Sequence, residues 1–145
     1  MQPLTPAGIE SISLDTLPAI TVLFTGILAL LYVLLAANVI ARRVKHRVTL
    51  GDGGHKDLEQ AIRVHGNFAE YVPLCLLVIA FVEMAFYASW VVWALGTSLL
   101  VGRVLHAIAI TSDPGPGVLR LLGMIGTFLV LLAGGALCIL AFIDI

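Results

Sequence analysis

Charge is scarce in this 145-residue chain: Asp, Glu, Lys and Arg make up 12% of it and nearly cancel, leaving a net charge of -1. No basic excess exists to neutralise a phosphate backbone, so nothing points to a nucleic-acid partner. Cysteine is equally sparse. Cys75 and Cys138 each sit inside an apolar run and suit small buried hydrophobes, not a disulfide framework or a metal site. His46, His55 and His65 do not fall at metal-ligand spacing, and no metal is expected. There is no Ser-His-Asp signature, no phosphate-binding glycine loop and no zinc motif. Residues 1–16 hold the acids Glu10 and Asp15 and no base. They lack the basic n-region of a cleavable signal, so the first apolar run is expected to be retained.

Apolar sequence fills the space that charge leaves. Hydrophobic residues make up 60% of the chain, and the mean hydropathy is +1.07, well outside the range of soluble domains. Four runs read as membrane spans, about 17–41, 58–86, 89–110 and 118–143. The expected fold is all-α, a single four-helix integral membrane domain over residues 1–145. Gly51-Asp52-Gly53-Gly54 is a turn signal ahead of the second span. Asp57, with Gln60 three residues on, resembles a capping box. Pro73 is expected to kink that helix. The third connection, Thr111 to Gly117, reads TSDPGPG and should stop the chain tightly between helices. Ser98 and Gly102 on the third helix, and Gly123, Gly126, Gly134 and Gly135 on the fourth, would let helices pack closely in lipid.

Basic residues mark the cytoplasmic side. Arg42, Arg43, Lys45, Arg47 and Lys56 cluster in the first connection, Arg120 lies beside the third, and the second, near Phe86 to Ser89, has none. The first and third connections are therefore expected to face the cytoplasm. Both termini, with Glu10, Asp15 and Asp144, should face outward.

Ionisable groups inside a span are costly and mark candidate sites. Arg63, Asn67, Glu70 and Tyr71 recur at offsets of four, seven and eight, along one stripe of the second helix as it meets the membrane. Taken singly, each has a bland reading: a snorkelling arginine, an interhelical amide, a carboxylate paired with Arg63, an interface tyrosine. Their conjunction on one face favours a binding site. Arg103 and His106 form a second set on the third helix. If Arg103 only ties helices together, Glu70 or Glu83 is the natural partner; Glu83 itself lies near the outer end of its helix, where a solvated carboxylate is expected.

The string Arg63-Val64-His65-Gly66-Asn67-Phe68-Ala69-Glu70-Tyr71 resembles the signature of the MAPEG family, the membrane-associated proteins in eicosanoid and glutathione metabolism. Gly102-Arg103-Val104-Leu105-His106 resembles the family's third helix, and Arg120-Leu121-Leu122-Gly123-Met124 the start of the fourth in its bacterial members. The resemblance spans about residues 17 to 143. It implies a homotrimer in the bacterial inner membrane, with glutathione as co-substrate bound between subunits near the cytoplasmic face. Arg63, Asn67, Glu70 and Tyr71 would then contact glutathione, joined by Arg103 and His106, and Arg120 would stabilise its thiolate. Arginines suit the two carboxylates of glutathione, Glu70 its ammonium and Asn67 its amides. The implied activity is a transferase or peroxidase acting on small apolar electrophiles or lipid hydroperoxides. Ile110 stands where several eukaryotic members place a tyrosine. The family also holds a non-catalytic lipid-binding member, so a lipid-binding or scaffold role is the alternative. A transporter is disfavoured, because the first helix is nearly free of charge and the polar groups gather on one side.

Overall fold

The computed structural model describes residues 17–85, 87–112 and 117–143, and of residues 110–112 the backbone alone. Glu10, Asp15, Phe86, Asp144, the side chains of Ile110 and Thr111, and positions 113–116 of the third connection lie outside the described residues. The described residues form four helices: α1 (Ala19–His46), α2 (Lys56–Met84), α3 (Ser89–Ser112) and α4 (Val118–Ile143). Each is long and apolar enough to cross a membrane. Among the described residues there is no strand. In lipid the backbone must satisfy its own hydrogen bonds, and a helix does this within one segment. The helix of α2 runs through Pro73.

Neighbouring helices run antiparallel, and two carboxylates fasten α1 to α2 at opposite ends. At one end, α1 begins at Pro18, which offers no side-chain cap, and its first turn holds no acid. Glu83 of α2 supplies both. Its carboxylate accepts from the backbone N–H of Ile20 at 2.9 Å, and from the N–H and hydroxyl of Thr21 at 2.8 and 2.7 Å. These are among the donors every helix start leaves unpaired, and a negative charge there also suits the helix dipole. Glu83 is thus a cap for another helix and not the solvated group expected from its position. Replacing Glu83 with alanine should cost about 1–3 kcal/mol of stability, and glutamine, which keeps one acceptor oxygen, less. Thermal unfolding in detergent checks this; an alanine variant that melts like the wild type would contradict it.

At the other end, Asp57 does not cap α2. The cap position is His55, without a side-chain bond. The Asp57 carboxylate accepts from Arg42 Nη1 at 3.0 Å and Lys45 Nζ at 3.4 Å, with His46 Nε2 at 3.0 Å. One of its oxygens also accepts from the Leu58 N–H in the first turn of α2 at 3.0 Å, so Asp57 serves that helix start from inside the turn while three basic groups in the last turns of α1 gather on it. His46 also stacks on His55, ring centroids 4.0 Å apart. The connection between turns sharply: Arg47 ends α1 at φ 56°, and Gly51, Gly53 and Gly54 all take positive φ, a conformation that glycine adopts without strain.

The core joins α2 to its neighbours through Phe68, Val72, Cys75, Ile79, Leu99 and Val130, with Leu28 from α1. The α3–α4 contact is the most extensive in the bundle. Gly102 and Gly123 bring the two backbones together, and a Cβ on Gly123 would lie 2.6 Å from the Gly102 carbonyl oxygen. Ser98 Oγ donates to the Gly126 carbonyl at 3.2 Å along the same seam.

Candidate functional site

A hollow of about 570 Å3 opens at the end of the bundle that carries the basic α1–α2 connection. Its lining comes from Glu59, Gln60, Ile62, Arg63, Gly66, Asn67 and Glu70 of α2, His106 of α3 and Arg120 of α4. Small-molecule sites fall in this size range. The placement follows from helix geometry. At about 100° per residue, Asn67 stands some 40° from Arg63 around α2, Glu70 some 20° to the other side and Tyr71 some 80° away. The first three share the hollow. Tyr71 is turned toward α3 and α4, where its ring meets Phe128 edge-on at 5.8 Å and carries the Arg103 guanidinium 5.7 Å from its centroid.

Glu59 and Gln60 also line the hollow, although the sequence offers Gln60 only as a capping partner and Glu59 no role. They lie four and three residues before Arg63, so the same helical offset pointed to them.

The charges facing the hollow are uncommitted. Among the described residues every ion pair belongs to Asp57; Arg63, Glu70 and Arg120 are exposed and enter none. Arg63 and Glu70 therefore do not neutralise each other, though they share a face. His106 is buried, 3% exposed, in the wall where α3 meets Gly123. The polarity of the hollow is mixed: two arginines, two carboxylates and two amides, a set that suits a zwitterionic ligand with several carboxylates and amides.

Arg103 lies behind this wall and not in it, 2% exposed. It pairs with neither Glu70 nor Glu83. Its Nη1 donates to Asn67 Oδ1 at 2.6 Å, and its Nη2 to the Gly123 carbonyl at 3.2 Å with Met124 Sδ at 3.6 Å. Glu83 is held at the far end of α2 by α1, and Glu70 points into the hollow, so carbonyl oxygens and an aromatic face take the place of the expected carboxylate.

Arg120 belongs to two spaces at once. It lines the polar hollow on one side, and on the other an apolar one of about 500 Å3 shared with Gly117, Val118, Leu121 and Met124. It sits in the first turn of α4, where unpaired N–H groups and the helix dipole favour an anion. A guanidinium there can hold a negative charge at the boundary between a polar and an apolar compartment.

A model of the MAPEG family matches residues 21–140. Two curated relatives, both called Inner membrane protein YecN, come from Escherichia coli strain K12 and an Escherichia coli O6:H1 strain. Each is 38% identical over 87 residues, which is 60% of this chain and 66% of the relative. The chain thus spans just under two-thirds of the length of the curated relatives it matches.

Proposed function

This chain belongs to the MAPEG family, and from that premise we propose that it is a glutathione-dependent transferase or peroxidase working inside the bacterial inner membrane. The observation that carries the reading is the hollow whose arginines and carboxylates enter no ion pair among the described residues, beside an apolar compartment. Arg63 would take a carboxylate of glutathione, Glu70 its ammonium and Asn67 a peptide or carboxylate oxygen. His106 would close the wall, with Tyr71 and Arg103 supporting Asn67 from behind. Arg120 would hold the sulfur as thiolate. In the transferase reaction the thiolate attacks an electrophilic carbon, a carbon–sulfur bond forms and the leaving group departs with its electron pair. In the peroxidase reaction two glutathione molecules become the disulfide as a lipid hydroperoxide is reduced to alcohol and water. The second substrate would arrive through lipid to the apolar side of Arg120, and glutathione from the cytoplasm.

Location and assembly follow the same premise. The relatives carry an inner-membrane name, and the basic α1–α2 connection favours a cytoplasmic hollow with both termini outside. The hollow is open at one flank, and α1 and α4 present long apolar faces; a homotrimer in which neighbours complete the hollow accommodates both. Crosslinking or native mass spectrometry in mild detergent should find three copies, and a stable monomer would sink the shared site.

Calorimetry tests the ligand. The wild type should bind glutathione, and Arg63→Ala should bind about tenfold more weakly while melting unchanged, because an exposed side chain without a protein partner is lost. No heat and no thermal shift with millimolar glutathione would hand the lead to the lipid-binding or scaffold role.

A further inference from the structure

Among the described residues no carboxylate pairs with the buried cation Arg103. It is 2% exposed, and among the described residues its Nε meets no partner at all. A charged group so placed normally demands an acid, yet its shortest contact is the amide oxygen of Asn67 at 2.6 Å. A guanidinium has five donors and no acceptor, so only the oxygen of an amide can face it. The two ends of an asparagine side chain are otherwise hard to tell apart; here the chemistry of Arg103 decides between them. Arg103 cannot swing away, because Nη2 is held by the Gly123 carbonyl at the tightest point of the α3–α4 seam and the guanidinium rests on Tyr71. With its oxygen turned inward to Arg103, the amide must turn its NH2 the other way. Asn67 lines the hollow, and among the described residues its nitrogen reaches no acceptor.

We infer that Arg103 is a positioning residue that locks the Asn67 side chain with its NH2 toward the hollow, so that the site selects a ligand presenting an acceptor there, a carboxylate or a peptide carbonyl. The pairing stands on the geometry alone; the identity of the ligand rests on the glutathione reading above. An asparagine side chain can by itself give or take a hydrogen bond. Arg103 removes half of that freedom and makes position 67 donor only.

Asn67→Asp and Asn67→Leu separate the two halves of this inference. Aspartate keeps the oxygen that Arg103 needs and gives the buried cation its missing counter-ion, but it offers the hollow an acceptor in place of a donor. Leucine removes both. In detergent, Asn67→Asp should melt at or above the wild type, and Asn67→Leu clearly below it. By calorimetry, Asn67→Asp should bind glutathione about tenfold more weakly or worse, although its fold is intact. A purely structural Arg103–Asn67 contact would not produce that split. An aspartate variant that melts as low as the leucine variant would overturn the pairing. One that binds glutathione within about twofold of wild type would overturn the donor role. A wild type that binds no glutathione would overturn the ligand half together with the proposed function, while the melting order would still decide whether Arg103 holds position 67.

Discussion

Arg120→Ala is expected to lower the turnover of glutathione with a reactive aryl halide by about 100-fold, with glutathione affinity changed far less. Removing a preorganised partner of a reacting anion costs on this scale. The asymmetry follows from what Arg120 touches. Under the proposed function glutathione would be gripped through its carboxylates, ammonium and amides by Arg63, Glu70 and Asn67, none of which the substitution removes. Arg120 stands apart at the start of α4, between the polar and apolar hollows, where only the sulfur would reach. A free thiol ionises near pH 8.5, and a neighbouring cation or helix N-terminus lowers that value. Wild-type enzyme would therefore hold thiolate at neutral pH. The alanine variant would hold mostly thiol, and its rate should climb about tenfold per pH unit until the ordinary thiol range is reached. Equal losses in affinity and turnover, or a variant rate flat with pH, would remove Arg120 from the chemistry. Arg120→Lys should recover part of the rate, as a point charge without the planar fork.

Gly123→Ala should damage the bundle strongly through a single methyl group. A Cβ there would lie 2.6 Å from the Gly102 carbonyl oxygen, 2.9 Å from His106 Cβ and 3.0 Å from the His106 backbone nitrogen. Two of the three are backbone atoms of α3, so no side chain can step aside and the helices must part. Overpacking of this kind costs about 1–3 kcal/mol, and the displaced Gly123 carbonyl would also release Arg103 Nη2. Gly135→Ala is the matched control. The same methyl meets nothing within 4 Å there, and alanine favours a helix over glycine by up to about 1 kcal/mol. Thermal melts should show a large loss for Gly123→Ala and little change or a gain for Gly135→Ala. Equal melting of the two would mean that the seam does not hold α3 to α4.

The four helices were legible because lipid imposes a coarse rule: a long apolar run must satisfy its own backbone. The stripe on α2 was legible for a similar reason, since 3.6-residue periodicity places Arg63, Asn67 and Glu70 on one face whatever surrounds them. The partners of the polar groups were not. Glu83 reaches the start of α1 across more than 60 residues of chain, and no local pattern announces such a reach. Asp57 carries a plausible capping spacing, but the cap position falls to His55, and Asp57 divides its carboxylate between the Leu58 N–H and three basic groups brought near by the glycine turn. Arg103 was matched to a carboxylate on charge alone, whereas the rotation of α3 against the Gly102–Gly123 seam aims it at Asn67 and a carbonyl. Periodicity says which side chains share a face; only packing says which neighbour that face meets.

The most direct measurement is a structure of the protein with glutathione added. The account predicts the tripeptide in the α2–α3–α4 hollow, a carboxylate on Arg63, an acceptor oxygen at the Asn67 amide nitrogen, and the sulfur within ion-pair reach of Arg120. An empty hollow at saturating glutathione, or a bound tripeptide with its sulfur turned away from Arg120, would contradict it.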